Sequence, residues 1–153
     1  MMGHAPNQGS SVSFGETIAP FLGRLVLAWY FLSEAYVRGT EWDATVQLLA
    51  IKDVPAAPLL HFLTLIVMVL GSLSLFLGFR TRLGALTLFV FTLVANALMH
   101  DYWNIANPIE RQADYEIFAR NVAIAGGLLV LMGVGPGKFA IDNVKGGGGK
   151  RGH

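Results

Sequence analysis

Seven polar side chains carry most of the chemistry this chain could do: Glu34, His61, Asn96, His100, Asp101, Arg120 and Asn121. Each stands inside a long apolar run or at its end. An ionisable group at the centre of a membrane helix costs about 2.5–3.5 kcal/mol on insertion scales, so such groups tend to pair or to serve a site. Glu34 with Arg120 is the pairing expected, because a glutamate's short stem reaches water poorly from within a span. Arg24 has a longer stem and is expected to reach the inner interface. The set comprises one acid, one base, two imidazoles and two amides, with Asp101 at the rim. It can donate and accept hydrogen bonds and hold a proton.

Metal and haem chemistry find little support. His61 and His100 stand alone on their segments, with no HxxxH and no carboxylate at ligand spacing, so a hydrogen-bonding or capping role is the reading of each. There are no cysteines, which excludes disulfides, thiolate ligands and a thiol nucleophile. The glycines of GGLLVLMGVGPG lie in and after an apolar run and read as packing and termination signals, not as a phosphate loop. A net charge of +1 gives no bulk field toward nucleic acid.

The elements that must position these residues are membrane helices. Of the 153 residues, 54% are hydrophobic and 14% charged, against about 25% charged in an ordinary soluble domain. Leu59 to Phe79 runs 21 residues without a formal charge, about 31 Å of helix and enough to cross a hydrocarbon core. Further spans are expected over Ile18–Tyr36, Leu83–Met99 and Ile117–Val134, the last containing Gly126-Gly127 as a surface for close helix approach. A polar connection from Val37 to Pro58 holds a weakly amphipathic stretch that suits a short interfacial helix. Phe79 to Arg82 makes a tight turn, so the helices it joins are antiparallel neighbours. An aromatic, acidic loop is expected over Tyr102–Glu116.

The expected fold is therefore all-α: an antiparallel four-helix membrane bundle with one short helix between spans one and two. Its domain runs over residues 16–142, between a polar tail at 1–15 that lacks the features of a signal peptide and a Gly-rich tail at 143–153. Four spans put both termini on one side. That side holds Arg80, Arg82, Lys138, Lys145, Lys150 and Arg151, which favours cytoplasmic termini in a bacterial inner membrane. All seven polar candidates then fall in one outer layer.

Certain motifs resemble the DoxX family of small four-span bacterial membrane proteins. They are Gly78 and Arg82 between spans two and three, His100 followed by Trp103, the run Asn121 to Gly127 opening span four, and the exit Gly135-Pro136-Gly137. The resemblance implies a membrane subunit or anchor of an oxidoreductase complex. It also implies possible quinone contact, with Glu34, His100 and Arg120 as candidate contacts. Without a redox centre of its own, the chain would need a partner subunit for any electron transfer. Two other functions remain open: a non-enzymatic scaffold or assembly factor docking through its outer loops, and small-molecule or proton transport. The partners expected are the lipid bilayer, a redox-complex subunit and a second copy of the chain.

Overall fold

A computed structural model describes residues 18–142. The two expected tails, with Lys145, Lys150 and Arg151, lie outside the described residues. Five α-helices follow in order: α1 (Ala19–Thr40), α2 (Trp42–Ile51), α3 (Ala57–Leu77), α4 (Thr81–Met99) and α5 (Pro108–Val134), with a 3₁₀ turn at Tyr102–Asn104 before α5. No strand occurs among the described residues. The fold is all-α, and α2 is the short helix expected between the first two long ones.

Local chemistry sets most boundaries. Pro20 and Pro58 occupy the first turns of α1 and α3, where a missing N–H costs little. At the end of α3, Gly78 takes φ 68. The Gly78 N–H donates to Leu75 O and the Phe79 N–H to Ser74 O, the double closure of a left-handed helix cap. One boundary departs from expectation: the stretch read as a loop up to Glu116 is helical from Pro108. Asn107 causes this. Its Oδ1 accepts the Ile109 N–H at 3.0 Å while its Nδ2 donates to Glu110 Oε1 at 3.1 Å, and Pro108 preforms the first turn. Arg120 and Asn121 thus sit mid-helix rather than in a first turn.

The four long helices pack up, down, up, down. Arg24 lies beside Gly78, and His61 beside Arg38, so α1 and α3 are antiparallel. Gly71 faces Leu88 across α3 and α4, and Asn96 faces Phe118 across α4 and α5. The core holds Ala28, Phe31, Met68, Leu75, Leu88 and Leu128. The helices α3 and α4 approach closely: a Cβ on Gly71 would stand 2.6 Å from Leu88 Cγ. Among the described residues no helix packs closely on Gly126 and Gly127, the expected surface for close helix approach: a Cβ at Gly126 would meet nothing within 4 Å, and one at Gly127 only Leu27 Cδ2 at 3.9 Å.

Large apolar side chains such as Val26, Leu70, Val94 and Val130 cover the outside. That inversion is stable only where the solvent is itself apolar, and helices that satisfy their own backbone are the structures such a solvent permits. Among the described residues three helical segments are long and apolar enough to cross a membrane: Ala57–Leu77, Thr81–Asn104 and Pro108–Val134. The expectation of four such spans is corrected to three by composition. The first helix has the length, but Arg24, Glu34 and Arg38 lower its apolarity.

Beyond α5 the chain folds back under the bundle. Arg24 donates from Nη1 to Pro136 O and from Nη2 to Phe139 O, each at 2.9 Å. It does not reach an interface, as was expected of it; it is 1% exposed. Asp142 then caps α4 from a distance. Its carboxylate accepts the N–H of Arg80 at 2.6 Å and of Thr81 at 2.9 Å, while its own N–H donates to Gly78 O. A negative group there also suits the helix dipole. Burial pushes the Asp142 carboxyl up, but the backbone donors of Thr81 and Arg80, with the Arg24 charge nearby, together outweigh it and hold the group below the usual carboxylate range.

Candidate functional site

At the opposite end, a cavity of about 620 Å³ opens among α1, α2, α3, α4 and α5. Leu48, Leu60, Leu63, Val67, Met68 and Phe91 form part of its apolar wall. Five of the seven candidates line it: Glu34, His61, Asn96, His100 and Asn121. The bundle's alternation places them together, because α1 and α4 end where α3 begins and α5 passes.

Each of these side chains is anchored. The His61 ring is 1% exposed; its Nε2 lies 3.1 Å from Arg38 O. A carbonyl only accepts, so Nε2 carries the proton. Trp42 packs against that ring at a tilt of 59° with centroids 4.6 Å apart, tying the α1–α2 corner to α3. Asn121 Nδ2 donates to Asn96 Oδ1 at 2.8 Å, and Asn96 Nδ2 donates to Phe118 O at 3.2 Å. His100 Nδ1 lies 2.7 Å from Asp114 Oδ1; with the carboxylate ionised, Nδ1 donates and Nε2 is left as the basic nitrogen.

Asp101 and Arg120 stand apart from the cavity lining. Asp101 pairs with Lys52 and accepts from Asn104 Nδ2 at 3.2 Å. Arg120 is exposed. The expected Glu34–Arg120 pair does not form: Glu34 Oε2 accepts from Arg38 Nη2 at 3.2 Å instead. Arg38 wins because it stands four residues on along the same helix, a separation that brings the two side chains together. No group of three or more metal-ligating side chains occurs among the described residues.

Three lining residues were missed by the sequence reading. Arg38 was placed in a connection, yet it is in the last turn of α1. Asp114 was assigned to a loop; once α5 starts at Pro108, Asp114, Phe118 and Asn121 recur on one helical face, which would have disclosed it. Lys52 follows α2 and had no local signal. Two buried atoms on this wall lack a hydrogen-bond partner: Arg38 Nε and Asp114 Oδ2. An edge-to-face cluster of Tyr102, Trp103, Tyr115 and Phe118 holds the turn after α4 against α5.

Comparison with known proteins places this architecture. The chain is 27% identical over 121 residues to the inner membrane protein YphA of Escherichia coli, covering 79% of this chain and 86% of that protein. It is 29% identical over 132 residues to the inner membrane protein YqjF of the same organism, covering 84% and 93%. A Surfeit locus protein 4 homolog of Schizosaccharomyces pombe is 34% identical over 71 residues, covering 45% of this chain and 23% of that protein. No solved structure matches. The model of the SURF4 family matches residues 48–147. This overturns the resemblance to the DoxX family: the features that suggested it are mainly helix-ending and helix-packing signals, which unrelated membrane bundles share. This chain is an integral membrane protein and belongs to the SURF4 family.

Proposed function

We propose that this protein is a membrane-embedded binding protein that takes an amphipathic small molecule into the cavity, and that binding or passage of that molecule is its work. The observation that carries the reading is the cavity itself. Its volume of about 620 Å³ lies within the roughly 300–1,000 Å³ of small-molecule sites, and apolar walls with a few fixed polar groups are what such sites present. The oxidoreductase-subunit and quinone readings lose their basis with the DoxX resemblance. Quinone remains one amphiphile among many that the cavity's chemistry would admit.

On this reading α1, which its composition alone does not qualify as a span, crosses the membrane because it packs along α3 inside the apolar bundle, with the Arg24 Nη groups hydrogen-bonded to two backbone carbonyls. Both termini then face the cytoplasm of a bacterial inner membrane, on the side of Arg80, Arg82 and Lys138, and the cavity opens toward the outer side. The two Escherichia coli relatives, both inner membrane proteins by name, support that membrane.

The test is native mass spectrometry of the protein released from lipid nanodiscs. Wild type should retain one amphiphile per chain. Thr64→Phe, which fills the cavity from α3, should retain much less at unchanged helicity. Equal retention by the two proteins, or none by wild type, would contradict the proposal.

A further inference from the structure

The seam between α3 and α4 changes character along its length. Toward the Phe79–Arg82 turn the two helices touch: a Cβ on Gly84 would run into Ser74 Oγ, and one on Gly71 into Leu88. Small residues permit that approach. The same antiparallel register sets Val67 opposite Phe91, Leu63 opposite Val94 and Leu60 opposite Leu98. All six line the cavity, and none is smaller than valine, so side-chain bulk holds the outer halves of the helices apart. Leu60, Leu63, Val94 and Leu98 are also exposed. The cavity therefore reaches the flank of the bundle between α3 and α4.

Both helices are long and apolar enough to cross a membrane, so what that flank meets is hydrocarbon. Val67 lies about 15 Å along α3 from its start, near the middle of a core about 30 Å thick, and Leu60 to Val67 covers about 10 Å of that depth. The slit thus spans most of one leaflet. The charged part of the lining stands above it: Glu34, Lys52 and His100 come from the ends of α1, α2 and α4. Polar at the membrane surface and apolar with a side opening below, the site has the polarity profile of a leaflet lipid. Resting on the amphiphile reading above, we propose that the cavity is entered sideways from the bilayer, between the outer halves of α3 and α4, and that its guest is a diacyl lipid of that leaflet. Its head group sits beside Lys52 and His100, and its chains leave between Leu63 and Val94. A chain that takes this way stays in hydrocarbon throughout, whereas entry from the aqueous end would first draw it through water. An open flank also sets no limit on the length or number of chains, which a closed cavity would.

The experiment uses the whole protein in nanodiscs of palmitoyl-oleoyl phosphatidylcholine, released for native mass spectrometry. Wild type should carry one diacyl lipid per chain. Leu63→Trp with Leu98→Trp, which narrows the slit from both sides and leaves the charged lining in place, should lose most of it. A second measurement reads the route itself. Thr64→Cys carries a bimane in vesicles of the same lipid doped with a phosphatidylcholine bearing a nitroxide on its chain. The bimane should lose most of its emission, as one at Val130→Cys on the lipid face of α5 does, and the two tryptophans should restore it. A bimane at Thr64→Cys that the nitroxide lipid leaves bright would overturn lateral entry. So would a wild type that carries no diacyl lipid yet retains lysophosphatidylcholine added from solution; the amphiphile site would then stand without the slit. Retention of neither would remove both. The wild-type retention alone decides, so a variant that fails to fold does not rescue the inference.

Discussion

Beside the α3–α4 turn, Arg24 is 1% exposed and donates to two backbone carbonyls, and Asp142 accepts two backbone N–H groups. At the other end Arg38 and Glu34 form a partly exposed side-chain pair beside a cavity, with Arg38 Nε and Asp114 Oδ2 unpartnered. Both ends bring ionisable groups into an apolar bundle. Each end leaves buried polar atoms unpartnered, Arg24 Nε and Thr81 Oγ1 at one, Arg38 Nε and Asp114 Oδ2 at the other; the first answers its charges mainly with main chain under the C-terminal strap, the second with neighbouring side chains beside a cavity. Charge bonded to backbone fastens a fold, while charge held by a neighbouring side chain is freer to exchange partners.

The contrast is broken most sharply at the closed end. Arg24→Met removes two part-buried hydrogen bonds to the backbone and frees the C-terminal strap; a loss of about 3 kcal/mol is expected, read as a lowered melting temperature in detergent. Gly78→Ala comes next. It forces a side chain onto φ 68, with its Cβ 2.9 Å from Ala140 Cα, at a cost of about 2 kcal/mol by the same measurement.

Asp142→Asn should cost about 1–2 kcal/mol as a lost helix cap. Its pH signature is specific. The folded carboxyl lies below its ordinary value, so its stabilisation is full above the unfolded pKa of about 3.9 and drains away as pH falls through the lower folded value. An acid titration of wild-type melting should show that loss, and Asp142→Asn should lack it. At the open end, Glu34→Ala should change stability by about 0.5 kcal/mol or less, since its partner Arg38 is half in solvent. A melting drop as large as that of Arg24→Met would erase the distinction between the two ends.

What the sequence disclosed follows the same division. The uncharged runs at Leu59–Phe79 and Leu83–Met99 have no alternative to long apolar helices, and α3 and α4 follow them within a few residues. The polar candidates on α1, α3, α4 and α5 fall near one end because alternating helices leave little choice. What failed depended on local competition or on distance along the chain. Glu34 was assigned to Arg120 although Arg38 stood four residues away. The start of α5 was lost because an acidic, aromatic segment looks like a loop unless the Asn107-Pro108 start is given its weight, and Asp114 was lost with it. The bonds of Arg24 join residues more than a hundred positions apart, and no periodicity reports such a contact.

The most direct test of the amphiphile site exploits the absence of cysteine from the chain. Single variants Thr64→Cys, on the cavity wall, and Gly126→Cys, on the outer face of α5, are labelled with a maleimide in amphipol, with and without lysophosphatidylethanolamine. A filled cavity predicts that the amphiphile slows labelling at Thr64→Cys and leaves Gly126→Cys unchanged. Equal rates at Thr64→Cys with and without the amphiphile, or equal slowing at both positions, would contradict it.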